Sequence, residues 1–454
     1  MRVVIVGSGE VGFNIASRLA LENKDVVIID NNLEAIRRVS ENLDVQVVYG
    51  SGSSPVSLEE AGIKEAEILL AVTNSDEINL VACLVANIIS PSTKKIIRLR
   101  DADFDQYHDN FHNYAPNIDT LINPEIEVVK TIYRLMVTPG VVDIGKFTDG
   151  NIKFVGVRLD EKARLVGICL SDLSRISETE RPLIVAVIRD EKLIIPGGAD
   201  RLKADDLIYF ISEEEKLIDT LAVFDKYSKP VRRALIIGGG RIGLRLAKLL
   251  ADKSIHTKII EKNQDRCTEL AGLLDKAVVL HGNGSDQSLL NEENIQDIDV
   301  VVSLTDDEEI NILVSLLAKQ MGAKKTITKI SKFNYFPLMS TIGIEQVVSP
   351  RLSAINTILQ HIRRGKVLSS ISIKGEQAEF MEAEALETSD IVGRPLKDVS
   401  FPKGAIVSGI IRDENMIIPS GDSVIKPGDK IIIFARRQAI PNVEKILTVK
   451  LEYF

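Results

Sequence analysis

Gly7-Ser8-Gly9-Glu10-Val11-Gly12 returns as Gly238-Gly239-Gly240-Arg241-Ile242-Gly243, and the residues around each copy return with it. Each loop follows an apolar run, Arg2 to Val6 or Ala234 to Ile237, and opens a helix-like stretch, Val11 to Leu21 or Ile242 to Leu250. An acidic residue closes the next apolar run: Asp30 in the first copy and Glu261 in the second, 18 residues past the last glycine in both (30 − 12 and 261 − 243). This is the dinucleotide-binding fingerprint in its strand–loop–helix setting. One glycine permits the tight turn, the next admits a pyrophosphate to the backbone amides, and the third lets the helix lie close to the strand. The helix amino end faces the anion. A carboxylate about 20 residues on accepts from a ribose diol and repels a 2′-phosphate, which favours NAD or an adenine nucleotide over NADP. Glycines at such turns also serve packing, and Asp30 and Glu261 also suit helix caps. Repetition of the whole pattern at one offset, 231 (238 − 7 and 261 − 30), weighs towards a pair of nucleotide sites.

Composition bounds the function. At 454 residues the chain is long enough for several domains. Its 45% hydrophobic and 27% charged content suits a globular protein. The net charge of −9 argues against nonspecific nucleic-acid binding, because no basic surplus is available to displace counterions. No apolar run reaches the 18 or so residues needed to span a bilayer, so membrane contact is expected only through a partner. The amino-terminal run is too short for a signal peptide and leads straight into the phosphate loop. Cys83, Cys169 and Cys267 form no CxxC and suit buried free thiols in a reducing cytosol.

Up to about residue 122 strands and helices alternate, with strands near 2–6, 25–29, 45–49, 68–72 and 95–99; this predicts a doubly wound parallel sheet. Ligand residues then fall past strand ends: Gly7, Asp30, Gly50 to Gly52, Thr73 with Asn74, and Arg98. The second copy offers Gly238, Glu261, Gly282 to Gly284, Thr305 with Asp306, and Lys329. Thr73-Asn-Ser-Asp-Glu-Ile-Asn79 aligns with Thr305-Asp-Asp-Glu-Glu-Ile-Asn311, one inserted residue having moved the offset to 232 (305 − 73). Two smaller strand-rich segments also match, with Val187 to Pro196 resembling Ile410 to Pro419 and Asp206 to Phe210 resembling Asp429 to Ile433. Their Arg-Asp-Glu clusters predict hairpin turns. A proline-led helix precedes each, Pro124 to Met136 and Pro350 to Arg364. The fold class is α/β: two Rossmann lobes (1–122 and 228–349), each followed by a crossover helix and a small α+β lobe (123–227 and 350–454). Asp225 to Pro230 is the expected seam between halves.

This organisation, with Ile97-Arg-Leu-Arg100, Leu121-Ile-Asn-Pro-Glu125 and Ala323-Lys-Lys325 beside the motifs above, resembles over the whole chain the TrkA family of Trk-system potassium uptake proteins. That family is built from tandem RCK (regulator of potassium conductance) units. The resemblance implies a non-catalytic, cytoplasmic, peripheral subunit that binds NAD(H), with ATP or ADP possible at either site. It also implies a homo-oligomeric ring, a tetramer, on the inner face of the membrane, gating a membrane-embedded Trk-type potassium channel subunit. Carried onto this chain, the first site takes Gly7, Ser8, Gly9, Glu10, Val11, Asp30, Thr73, Asn74 and Arg98. The second takes Gly238, Gly239, Gly240, Arg241, Ile242, Glu261 and Thr305. Gly12 and Gly243 complete the loops.

The halves differ in ways that predict different affinities or different nucleotides at the two sites. Lys329 stands where Arg98 offers a planar fork, Asp306 replaces Asn74, and Glu261 reaches further than Asp30. The enzyme alternative is an NAD-dependent dehydrogenase, which needs an acid or base near the nicotinamide. Of the five histidines, His108, His112, His256, His281 and His361, only His281 falls at a predicted strand end, opposite Gly50 in the other copy. His108 and His112, beside Asp105 and Asp109, have i, i+4 spacing but no third clear metal ligand, and a solvated face is expected. Asp306-Asp-Glu-Glu309 is expected to be a charged first helical turn. A sensor of another cation transporter is a third reading on the same fold.

Overall fold

The computed structural model describes residues 1–101, 118–138, 140–147, 151–175, 182–227, 230–362, 367–373 and 377–447. The chain divides into two compact units, one of Met1–Glu127 with Pro350–Arg363, the other of Val128–Ser349 with Arg364–Phe454.

Unit one winds through β1 (Arg2–Val6), α1 (Glu10–Leu21), β2 (Asp25–Asp30), α2 (Leu33–Asn42), β3 (Gln46–Tyr49), α3 (Pro55–Glu60), β4 (Ile68–Ala71), α4 (Asp76–Ile89), β5 (Lys94–Arg98) and β6 (Thr120–Ile122). All strands run parallel in the order β3-β2-β1-β4-β5-β6. Helices cover both faces, so the central strands are apolar throughout: Val3, Val4 and Ile5 of β1 are wholly buried. The winding reverses between β1 and β4, and a crevice opens there at the carboxyl ends of the strands. The short sixth strand adds to the five expected from sequence.

Helix α5 (Pro124–Val137) follows, its residues from Val128 on belonging to unit two. That unit holds the antiparallel sheet β7 (Val141–Lys146), β8 (Ile152–Arg158), β9 (Leu183–Arg189), β10 (Lys192–Ile194) and β11 (Leu207–Glu213), with α6 (Leu217–Val223). The second winding comprises β12 (Arg233–Ile237), α7 (Arg241–Asp252), β13 (His256–Glu261), α8 (Gln264–Leu273), β14 (Ala277–His281), α9 (Gln287–Glu292), β15 (Val300–Ser303), α10 (Glu308–Gln320), β16 (Thr326–Lys329), α11 (Phe336–Thr341) and β17 (Gln346–Val348). Its sheet repeats the strand order of the first. Helix α12 (Pro350–Ile362) packs in unit one, against α1. The described residues continue with β18 (Val367–Ile373), β19 (Ala378–Glu384), β20 (Ala405–Arg412), β21 (Asn415–Ile417), β22 (Lys430–Arg436) and α13 (Ile440–Leu447).

The repeated Arg-Asp-Glu clusters are hairpin turns, as their sequence predicts. Asp190 and Glu191 have φ of 49° and 60°, and Asp413 and Glu414 have 50° and 65°, the left-handed pair that suits the twist of a two-residue hairpin. Arg189 clamps the wholly buried Asp206 with two bonds of 2.7 Å, and Arg412 clamps Asp429 at 2.9 and 2.7 Å. The two small sheets meet through Phe147, Phe154, Phe380 and Phe434, with Phe154 stacked on Phe380 at 5.0 Å between centroids.

Each crossover helix is held at its carboxyl end by a lysine that opens or precedes a strand of the other half. Lys94 Nζ donates to the carbonyl of His361 at 3.2 Å, within unit one. Lys325 Nζ donates to the carbonyls of Leu135, Met136 and Thr138 at 2.8, 3.4 and 3.3 Å, within unit two. An ammonium at the last turn satisfies carbonyls that have no partner inside the helix and complements its dipole. The buried faces have helical spacing: Val129, Ile132 and Met136 in α5, and Ile355, Ile358, Leu359 and Ile362 in α12.

Candidate functional site

The glycine loop of unit one divides its three glycines by task. Gly7 has φ of 103°, and a Cβ there would lie 3.0 Å from the Thr73 backbone. Gly12 lies so close to the loop that a Cβ would fall 1.9 Å from the Gly7 carbonyl oxygen. Gly9 is different: a Cβ would meet nothing within 4 Å, so no packing explains the glycine. The second loop repeats all three conditions, with φ of 103° at Gly238, a Cβ on Gly243 that would fall 2.2 Å from the Gly238 oxygen, and open space at Gly240. Open backbone at the middle glycine is what close approach of a ligand requires.

Asp30 ends β2 and turns back to the loop. Its Oδ2 accepts from the backbone N–H and the hydroxyl of Ser8 at 2.6 and 2.8 Å, and its Oδ1 from Asn32 N–H at 2.8 Å. Glu261 uses its extra methylene to make the same connection, accepting from Gly239 N–H at 2.7 Å and Asn263 N–H at 2.8 Å. Neither carboxylate caps the following helix; Asn32 and Asn263 do. Pairing of Asp30 with Tyr49 and of Glu261 with His281 also corrects the alignment: the counterpart of His281 is Tyr49, not Gly50, because the inserted residue lies before β14.

A cleft of about 460 Å³ opens over these residues, within the usual range of small-molecule sites. Gly7, Gly9, Asp30, Thr73 and Asn74 line it, with Ser51, Gly52, Asn31 and Asn32. Ser8 and Val11 are buried beneath the loop, and Glu10 begins α1. Arg98 is buried at the end of β5, where it donates to the Thr73 carbonyl at 2.8 Å and to Asn74 Oδ1 at 3.2 Å; it fixes residues that line the cleft. In the second half Lys329 pairs with Asp306 at 3.1 Å, Thr305 sits 2.9 Å from a Cβ placed on Gly238, Ile242 is buried, and Arg241 begins α7.

Asn79 and Asn311 are structural partners of this site whose role the sequence reading did not assign. Asn79 is wholly buried; its Oδ1 accepts from the N–H and hydroxyl of Thr73 at 2.9 and 2.7 Å, and its amide donates to the Arg98 carbonyl at 2.9 Å. Asn311 binds Thr305 and the Lys329 carbonyl in the same way. One side chain thus locks the ends of two strands together on the cleft rim. Its signal was the asparagine six residues past each threonine.

Asp307 caps α10 while Glu308 and Glu309 form its first turn, the arrangement expected of the acidic cluster. Hydrogen bonds from Tyr335 and Lys332 hold the Glu309 carboxyl down at about 2. Burial pushes the Cys83 thiol up to about 12 and raises that of Cys267, whereas Cys169 is partly exposed, contrary to expectation. His108 and His112 lie outside the described residues, as do Ser228 and Lys229 of the seam.

The TrkA-N domain model matches residues 3–124 and 234–350, and the TrkA-C domain model matches 154–225 and 380–448. A Trk system potassium uptake protein TrkA of Halomonas elongata is 36% identical over 100% of both chains. The TrkA homolog 1 of Methanosarcina mazei is 38% identical, over 98% of this chain and 99% of its own. Among solved structures, the GsuK channel bound to NAD superposes with a TM-score of 0.61 at 16% identity, covering 98% of this chain and 78% of that one. The GsuK bound to ADP gives 0.50 at 14%, covering 79% and 68%. With tandem matches to both domain models and full-length relatives above a third identical, the chain belongs to the TrkA family of Trk-system potassium uptake proteins.

Proposed function

We propose that the chain is a nucleotide-sensing regulatory subunit, binding NAD(H), with ATP or ADP at either site, in the clefts at Gly7–Gly12 with Asp30 and at Gly238–Gly243 with Glu261. The observation that carries this reading is the open middle glycine of both loops: Gly9 and Gly240 have no packing reason to lack a side chain. Phosphates come to rest against the loop amides, the ribose on the carboxylate, and Thr73 and Asn74, braced by Arg98, close the opposite rim.

The output is movement and no bond is made or broken. Among the described residues, those lining the first cleft include no histidine, lysine or tyrosine to exchange a proton with a nicotinamide substrate. A nucleotide shifts a two-state element only by its differential affinity, and a tenfold preference supplies about 1.4 kcal/mol per site. Several sites in one ring, a tetramer in this proposal, then add up to a switch.

The partner is a membrane-embedded Trk-type potassium channel subunit, and the chain works on its cytoplasmic face. Among the described residues no helix is long and apolar enough to cross a membrane; contact with the bilayer in this proposal comes through the partner alone. The test is co-sedimentation of the full chain with membranes that contain or lack the channel subunit. Association that depends on the channel supports the proposal, and association without it contradicts it.

A further inference from the structure

Glu10, in the first glycine loop, is bonded on both sides by arginines. Arg38 Nη1 lies 2.8 Å from its Oε1, and Arg351 Nη1 lies 3.2 Å from its Oε2. Arg351 stands in the first turn of α12, the crossover helix of the second half. Arg38 also donates to the Ser8 carbonyl at 3.0 Å, and Ser8 donates to Asp30. A continuous polar chain therefore runs Arg351–Glu10–Arg38–Ser8–Asp30, from the crossover helix into the wall of the first cleft. Lys94 holds the other end of the same helix through His361. The helix is fastened at both ends to the lobe that carries the first cleft.

The counterpart positions keep opposite charges with the signs exchanged: Arg241 stands in the place of Glu10, and Glu125 in the place of Arg351.

We propose that the Glu10–Arg351 pair couples occupancy of the first cleft to α12, so that nucleotide bound in the first half acts on the small lobe of the second. The inference rests on the nucleotide-binding reading above. Phosphates arriving at the loop place negative charge beside Glu10. Arg38 and Arg351 then gain a second anion beside Glu10, and the positive amino end of α12 is attracted to the loop as well. Nucleotide thereby tightens the seat of α12, and by linkage a seated α12 tightens nucleotide. Because β18 follows α12 directly in sequence, the second small lobe feels the change first.

The experiment is amide hydrogen exchange of the full chain across residues 350–362, with and without saturating NADH or ATP, beside calorimetric affinities. Slower exchange in α12 on nucleotide addition is expected, and D30A, which weakens the first cleft, abolishes it. R351Q loses the slowing and weakens binding at the first site by about 2- to 5-fold, the range open to a partly exposed ion pair; R351K restores both. Nucleotide that binds while exchange in α12 stays unchanged overturns the coupling and leaves the sensor reading standing. Absence of any nucleotide binding overturns both. If R351Q does not fold, the exchange comparison of the unaltered chain with D30A decides.

Discussion

Asp30 accepts two hydrogen bonds from one residue, the N–H and the hydroxyl of Ser8, through a single oxygen. The carboxylate that suits a ribose diol therefore also shapes the glycine loop before any ligand arrives. Asp30→Ala removes both effects. Bonds to a charged group contribute about 1.5–3 kcal/mol, so NADH affinity at the first site falls by tenfold or more while the second site is untouched. Calorimetry with unchanged first-site affinity would remove Asp30 from the site.

The glycine loop separates folding from binding. Gly12→Ala drives a Cβ into the Gly7 carbonyl and costs about 1–3 kcal/mol of stability. Gly9→Ala meets no protein atom, so its stability stays within about 0.5 kcal/mol of the unaltered chain. Its nucleotide affinity nevertheless drops. Thermal melts and titrations of the two variants check this, and a Gly9→Ala chain that binds normally contradicts the assignment.

Asn79 holds Thr73 and the Arg98 carbonyl at once. Asn79→Ala leaves buried backbone groups without partners, at a cost of about 1–3 kcal/mol. Urea unfolding followed by a probe in unit one reads the loss. A midpoint equal to that of the parent would show that water replaces the amide.

How much of this was legible beforehand differs by level. Apolar runs such as Val3 to Val6 and Ile68 to Leu70 announced the central strands, because parallel sheets bury both faces. β6, three residues long, carries no periodicity from which a strand can be read. α5 and α12 each bury one face, but amphipathic spacing says nothing about which surface covers it, and the packing of α12 against α1 is visible only in three dimensions. Arg98 ends β5, as the apolar run before it predicts, yet its guanidinium braces Thr73 and Asn74, a direction no spacing encodes. Glu10 and Arg351 are 341 residues apart, and no local pattern joins them.

Lys325 gives a pH test. Burial pushes its ammonium from 10.5 down to about 8, so on raising the pH the folded chain releases this proton before the unfolded chain does. Stability relative to Lys325→Met is therefore flat below pH 8 and rises between 8 and 10.5, by at most about 1.4 kcal/mol per pH unit. Urea midpoints of both chains across that window show the rise. A falling difference would mean that the carbonyls of Leu135, Met136 and Thr138 hold the charged form.

The central claim is tested most directly by calorimetric titration of NADH and of ATP into the purified full chain, with Asp30→Ala titrated in parallel. The account predicts saturable binding to the parent, a selective loss of first-site affinity in the variant, and no consumption of NADH when oxo acids are added. Absence of binding by every adenine nucleotide up to millimolar concentration, or steady turnover of NADH, would contradict it.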